Sequence, residues 1–417
     1  MQYATIALDQ ERGSPSLESV QARLIKVHHL LSSSRPNAAS YQFGFVVQLS
    51  YTLGLHHKRA KHGVKNLLQS ELHSRTFWAV YSTDRYLSIV LGRPLLVHSE
   101  FMTQGFPTAI NDEDLSDGCS TCSPSPFTDC TTLASIVHAK LAQIVGRVIV
   151  QHYTFTRARL FEQMRENNEA LQQWKAALPP FLSGEVKPAS LVPVSKRQSN
   201  VLRMFYLHCV ILINRPYLLY AFQKGDRRGR GENGLESYSA CIDAAVELAS
   251  QLTAISRTGQ RVDIFWFTLN ITFNAVSILY LHGLVRFQEE RRLAEEDVRL
   301  FGVAKSAHQA LAEVSQTSPP ALRYTVVLDT LRAEVDSLPS TSGPNPLDAS
   351  TLDTPRAGGG MYDGPDIRGD WHASDDYGDL DFLISEVLEI PGAMMHPFSP
   401  LDTSISSALG QVNDHNV

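Results

Sequence analysis

Residues 75–94, RTFWAVYSTDRYLSIVLGRP, are aromatic and mostly apolar, yet they keep four charged residues and end at Gly-Arg-Pro. On a helix, one stripe of this stretch carries Phe77, Tyr81, Asp84, Ser88 and Leu91. An unpaired carboxylate among such side chains would be costly. We therefore predict that Asp84 is buried and paired with a basic residue from elsewhere in the chain, either Arg93 or Arg215.

The end of this stretch has the residue order that terminates helices. Gly92 can take the left-handed conformation that closes a helix, and Pro94 prevents its continuation. A similar order recurs in Asn214-Arg215-Pro216, which follows a second apolar run. We predict that both arginines, Arg93 and Arg215, are presented at helix ends. They form either structural ion pairs that fix the register of helices or a charge cluster that binds a ligand.

Helical periodicity extends through most of the sequence. Val20, Leu24, Val27 and Leu31 fall at helical spacing. Similar patterns predict further helices at about 66–91, 132–178, 197–214, 235–255, 262–288, 294–316 and 321–338. Residues 98–130 lack periodicity and are predicted to form a long surface loop. No run of alternating β-branched residues predicts a strand, so the predicted fold class is all-α, an irregular array of packed helical hairpins.

One segment is long and apolar enough to cross a membrane. Residues 264–285 form 22 positions without a formal charge. Five of them are nevertheless polar: Asn270, Thr272, Asn274, Ser277 and His282. The sequence shows no second clear span, and we favour a buried core helix over a membrane-spanning one. No membrane partner is expected.

The composition changes after Leu338, where Pro, Gly, Ser and Thr become frequent. We predict a helical domain over 1–338 and a disordered acidic tail over 339–417. Residues 338–417 carry thirteen acidic and two basic residues, a net charge of −11, so the preceding 337 residues carry +5 of the total of −6. Acidic and bulky apolar residues alternate over 369–390, which is typical of activation segments. Its apolar members include Trp371, Tyr377, Leu380, Phe382, Leu383 and Leu388. The alternative is a solubilising tail whose short helix packs on the body.

Four motifs occur in a fixed order along the chain: LGLHH at 53–57, the stretch 75–94, FPTAINDEDL at 106–115 and YLHCVILINRPYLL at 206–219. This set resembles the middle regulatory domain of fungal zinc-cluster transcription factors, of the xylanolytic-activator type. The matching positions are Arg75, Trp78, Tyr81, Asp84, Arg85, Gly92, Arg93 and Pro94, with a second Arg-Pro at Arg215 and Pro216. The resemblance covers about residues 15–338.

The resemblance implies an all-helical domain that tunes a nuclear regulator of genes transcribed by RNA polymerase II. The partners it implies are coactivators or corepressors, a second copy of the chain, and a small-molecule inducer. It does not imply catalysis, and the sequence holds no phosphate-binding loop or nucleophile motif. We therefore predict that the protein is not an enzyme. An accessory co-regulator that acts by protein contacts or ligand sensing, without binding DNA, is the alternative.

The family binds DNA through a basic six-cysteine cluster that holds zinc, and this sequence shows no such cluster. Its five cysteines are Cys119, Cys122 and Cys130 in an acidic stretch, and Cys209 and Cys241 alone on apolar helices. Structural zinc needs four ligands at suitable spacing. We therefore expect no cofactor in this chain, which would be an N-terminally truncated relative. DNA binding and zinc are implied only by the family. Lys58, Arg59 and Lys61 suggest either nuclear import or a solvated basic loop.

Overall fold

The computed structural model describes residues 6–8, 10–11, 13–58, 67–115, 130–153, 160–186, 190–224, 232–257, 266–290 and 293–338. Within these ranges the chain is helical and contains no β-strand, so the predicted all-α fold class is confirmed. The helices are α1 Leu17–Ser32, α2 Pro36–Thr52, α3 Leu67–Leu91, α4 Thr132–Tyr153, α5 Leu160–Ala176, α6 Pro180–Ser183, α7 Pro193–Lys224, α8 Glu232–Arg257, α9 Trp266–Glu290, α10 Glu295–Ser315 and α11 Pro319–Asp336.

Local sequence explains where several of these helices begin and end. The Ser16 side chain accepts a hydrogen bond from the amide of Ser19 and so caps α1. The four apolar residues at helical spacing in α1 are all buried. Gly92 has a φ of +64°, the left-handed conformation that closes α3 as predicted. Pro319 occupies the first position of α11, where its missing N–H costs nothing.

The helices pack around one hydrophobic core that runs from Val20 in α1 to Val335 in α11. Helix α9 lies near the centre and contacts α7, α8, α10 and α11. Helix α7 contacts α4, α5, α6 and α8, while the α1–α2 hairpin packs against α3. The predicted domain boundary after Leu338 stays a prediction, because residues 339–417 lie outside the described residues.

Two predicted helix boundaries were wrong. The predicted helix at 132–178 is two helices, α4 and α5. The predicted end at Asn214 is also wrong, because α7 continues through Arg215 to Lys224 with Pro216 inside it. Pro216 removes the N–H that would donate to the carbonyl four residues earlier. The helix nevertheless continues, and Leu218 beyond the proline is buried in the core. Tertiary packing therefore outweighs the local preference for a break.

Two described helices are long and apolar enough to cross a membrane: α4 over Thr132–Gln151 and α9 over Trp266–Phe287. The prediction that only one such segment exists was therefore wrong. Within the fold, 67% of the apolar stretch of α4 is buried, and 83% of the apolar stretch of α9 is buried. Helix α9 contacts four other helices, which is the packing of the core helix that we favoured for this segment.

Candidate functional site

The motif residues of α3 contact the loop that follows this helix. We call this arrangement the α3 clamp: Arg75, Trp78, Tyr81, Asp84 and Arg85, with the loop at 95–112. The loop runs antiparallel to the helix, so the first motif residue contacts the end of the loop and the last contacts its start. Positions three or four apart are neighbours on a helix surface, so the motif spacing produces one continuous row of contacts.

The first contacts of the clamp fix the end of the loop. Arg75 donates from Nη1 to Asp112 Oδ1 at 2.5 Å and from Nη2 to the Ile110 carbonyl at 2.7 Å. One turn earlier, the buried Glu71 carboxylate accepts hydrogen bonds from the amide and the hydroxyl of Thr108, at 2.9 and 2.6 Å. The Asp112 side chain is 84% exposed, so its ion pair adds little stability. The hydrogen bonds to Ile110 and Thr108 therefore fix this part of the loop.

The middle of the loop is bound through one carbonyl group. Trp78 donates from Nε1 to the Gly105 carbonyl at 2.8 Å, and Ser74 donates to the same oxygen at 3.0 Å. The indole ring of Trp78 stacks on Phe106, with ring centroids 4.4 Å apart. Trp78 is buried, and its polar group has the partner that a buried indole requires.

The centre of the clamp is a buried ion pair. Asp84 and Arg85 are 2% and 1% exposed, and Arg85 Nη1 lies 3.0 Å from Asp84 Oδ2. The backbone amides of Leu96 and Val97 donate to the two Asp84 oxygens at 3.1 and 3.0 Å. Burial raises the pKa of Asp84, and Arg85 and the two amides oppose that shift. The prediction that Asp84 is buried is confirmed, but its predicted partners were wrong, because its partners are Arg85 and the two amides.

Arg85 has further contacts that hold its guanidinium in place. Its central carbon lies 3.3 Å from the centroid of the Tyr81 ring, a cation–π contact. Ser99 lies 3.3 Å from Arg85 Nη2 and 2.9 Å from the Tyr81 hydroxyl. Gly146 of α4 faces the guanidinium so closely that a Cβ atom there would lie 3.0 Å from Arg85 Nε. Helix α4 therefore covers the ion pair with a residue that has no side chain.

The two Arg-Pro sites of the sequence have different structures. Arg93 follows the end of α3, as predicted, and donates to Asn37 Oδ1 at 2.6 Å, which ties α3 to the start of α2. Arg215 lies inside α7 rather than at its end, so that prediction was wrong. Arg93 is half-buried, whereas Arg215 is buried at 7% exposure. Neither arginine contacts Asp84.

Sequence reasoning missed several residues of this site, including Glu71, Ser99 and Gly146. Glu71 precedes Arg75 by one helical turn, and this spacing was a readable signal of a shared contact. A lone glycine within the apolar α4 sequence was a weaker signal of close packing at Gly146. Nothing in the sequence distinguishes Ser99 from the neighbouring loop residues.

Several predicted residues lie outside the described residues. They are Arg59, Lys61, Cys119, Cys122 and the whole segment 369–390. Lys58 is described and exposed. Nuclear import and the activation segment therefore stay predictions.

The described cysteines do not form a zinc site. Cys130, Cys209 and Cys241 are buried. Burial raises the pKa of Cys241 to about 12 and that of Cys209 further, so both thiols are neutral in the fold. Among the described residues, no group of three or more potential ligands is placed to bind a metal.

Comparison with known proteins shows what the part of the chain that contains the clamp is similar to. Residues 1–176 match the family described as the fungal specific transcription factor domain. Residues 1–176 are therefore similar to this family, and the resemblance found from the ordered motifs is confirmed. No solved structure matches the chain significantly.

Curated relatives extend the similarity beyond residue 176. An uncharacterized transcriptional regulatory protein of Schizosaccharomyces pombe is 26% identical over 76% of this chain and 37% of its own length. Activator of stress genes 1 of Saccharomyces cerevisiae is 21% identical over 77% of this chain and 33% of its own. Transcription factor FBD3 of Gibberella moniliformis is 25% identical over 63% and 37%. The chain thus spans about a third of the length of these relatives.

Proposed function

We propose that this chain is the regulatory region of a fungal-type transcription regulator, which acts in the nucleus on genes transcribed by RNA polymerase II. The observation that carries this proposal is the family match over residues 1–176, which contain the complete α3 clamp. The names of the relatives, which describe transcriptional regulators and a transcription factor, support the same function.

The structure of the clamp suits a regulatory scaffold better than a catalyst. Its polar groups bond to one another and to carbonyls and amides of the loop. The clamp therefore holds the loop in one position on the surface of α3. The described part of the chain is a helical body with one continuous core, an architecture that can present contact surfaces to other proteins. We propose that coactivators or corepressors bind this body. In this proposal, DNA is bound by another part of the protein or by a partner protein.

A reporter assay tests this proposal. The chain is fused to a foreign DNA-binding domain, and transcription from a reporter is compared with that of the DNA-binding domain alone. We expect the fusion to raise or lower transcription. Asp84→Ala should abolish this effect, because it breaks the buried pair. Glu247→Ala should not, because it breaks an exposed pair with Arg203 on the surface.

Equal reporter output from the fusion and from the DNA-binding domain alone, at equal protein levels in the nucleus, would contradict the proposal. Protein levels are measured by immunoblot for every fusion. If Asp84→Ala acts only by lowering the amount of protein, the clamp supports the fold but does not itself shape the regulatory surface.

A further inference from the structure

A cavity of about 290 Å³ lies between the α1–α2 hairpin and helices from the second half of the chain. Its walls come from the α1–α2 turn, the last turn of α3, and helices α7, α9 and α11. Much of the lining is apolar or aromatic, including Ile89, Val90, Leu91, Trp266 and Phe273. The volume is close to the lower end of the range for small-molecule pockets, about 300 Å³.

The Arg215 side chain lines this cavity and is 7% exposed. Its Nε is buried without a hydrogen-bond partner, and no ion pair joins its guanidinium to any residue of the described chain. Arg85 in the α3 clamp is buried as well but has Asp84 as its counter-charge. A guanidinium keeps its charge at all physiological pH values. Arg215 therefore carries a buried positive charge that the described fold does not neutralise.

The neighbours of Arg215 do not supply the missing negative charge. Burial raises the pKa of the Cys241 thiol to about 12, so this nearby sulfur is neutral. Burial, together with a smaller contribution from Arg215, lowers the pKa of His208 to about 3, so this imidazole is neutral as well. None of the described residues that line the cavity is Asp or Glu. Arg323, at the exposed side of the cavity, adds a second positive charge.

The cavity also offers a neutral hydrogen-bond donor. The Asn274 side-chain amide donates to the Asn270 side chain at 3.2 Å, and the Asn270 amide donates to the Tyr324 hydroxyl at 3.2 Å. The hydroxyl of Tyr324 is thus the acceptor in this chain, and its own hydrogen is left to donate. Burial raises the pKa of Tyr324, which keeps this hydrogen in place.

We propose that this cavity binds a small organic acid, with its carboxylate on Arg215 and its apolar body against Trp266 and Phe273. An arginine fork matches the two oxygens of a carboxylate. A phosphate would need more than one buried cation and would leave the apolar walls without a partner. The bound acid would contact α3, α7, α9 and α11 at once. Binding itself is independent of the proposed function, and only an effect of the acid on transcription rests on that function.

Binding is tested on the purified full chain with phenylacetate, indole-3-acetate and hexanoate, each beside its primary amide at the same millimolar concentration. Titration calorimetry and thermal unfolding are the two measurements. We expect at least one carboxylate to bind and to raise Tm, and its neutral amide not to. Arg215→Met should weaken binding by about 30-fold or more, since a buried charge pair is lost. Without ligand, this variant should melt at a higher temperature than the natural protein, because the unpaired charge is gone.

Two further variants keep the test decisive. Arg215→Lys retains the charge but not the fork, so it should weaken binding by about tenfold and still fold. Arg203→Met changes an exposed arginine of the same helix and should bind as the natural protein does. The proposal is overturned if no carboxylate of the set binds, if the amides bind equally well, or if both Arg215 variants retain full affinity. These results leave the reporter assay unaffected, so the two proposals fail separately.

Discussion

Replacing Asp84 with Ala is the sharpest test of the α3 clamp. The change leaves Arg85 as a buried charge, and it leaves the amides of Leu96 and Val97 without their acceptor. Removing one partner of a buried ion pair costs about 3–5 kcal/mol. We expect the free energy of unfolding to fall by about 4 kcal/mol, a large fraction of the roughly 5–15 kcal/mol that stabilises a typical domain. Urea unfolding followed by circular dichroism measures this change.

The control for this experiment is a second ion pair in the same protein. Glu247 and Arg203 lie 2.6 Å apart, but their side chains are 45% and 56% exposed. Glu247→Ala should therefore cost less than about 1 kcal/mol. The double variant Asp84→Ala with Arg85→Met should cost clearly less than the sum of the two single changes, because no buried charge remains. An Asp84→Ala loss as small as that of Glu247→Ala would refute the reasoning.

Three further predictions concern the core around the clamp and the cavity. Gly146→Ala places a Cβ atom 3.0 Å from Arg85 Nε, whose position is fixed, so the variant should lose about 1–3 kcal/mol in urea unfolding. The pKa of His208 is lowered from 6.5 to about 3 by burial, so the unfolded chain takes up a proton first as the pH falls. His208 should therefore account for a loss of about 2 kcal/mol of stability between pH 7 and pH 5, and His208→Leu should reduce the pH-dependent loss by this amount; an unchanged pH profile would contradict it. Trp78→Phe removes the donor to the Gly105 carbonyl, so it should cost about 1 kcal/mol and speed amide hydrogen exchange in the clamped loop, whereas equal exchange would show that this bond does not fix the loop.

The sequence pattern predicted the helical elements because their apolar residues repeat at helical spacing over long segments. The stripe that contains Asp84 predicted its burial for the same reason. Its partners could not be predicted, because adjacent residues such as Asp84 and Arg85 normally point to different sides of a helix. The two backbone amides at Leu96 and Val97 carry no sequence signal, since every residue except proline has one.

The cavity at Arg215 depends on tertiary packing that periodicity does not describe. Pro216 suggested a helix end, and a helix end would have placed Arg215 near other loops. In the fold α7 continues, and Arg215 faces residues from α3, α9 and α11 that lie far away in the sequence. The hypothesis of a ligand-binding charge cluster stays a prediction, and among the charged residues of the described structure only Arg215 and Arg323 line the cavity.

Chromatin immunoprecipitation of the tagged native protein tests the central claim, a role in transcription, most directly. We expect the protein to be enriched at the promoters of a defined set of genes, either through its own DNA-binding part or through a partner. Transcripts of those genes should change when the gene for this protein is deleted. No enrichment over an untagged strain, together with an unchanged transcript profile in the deletion strain, would contradict the claim.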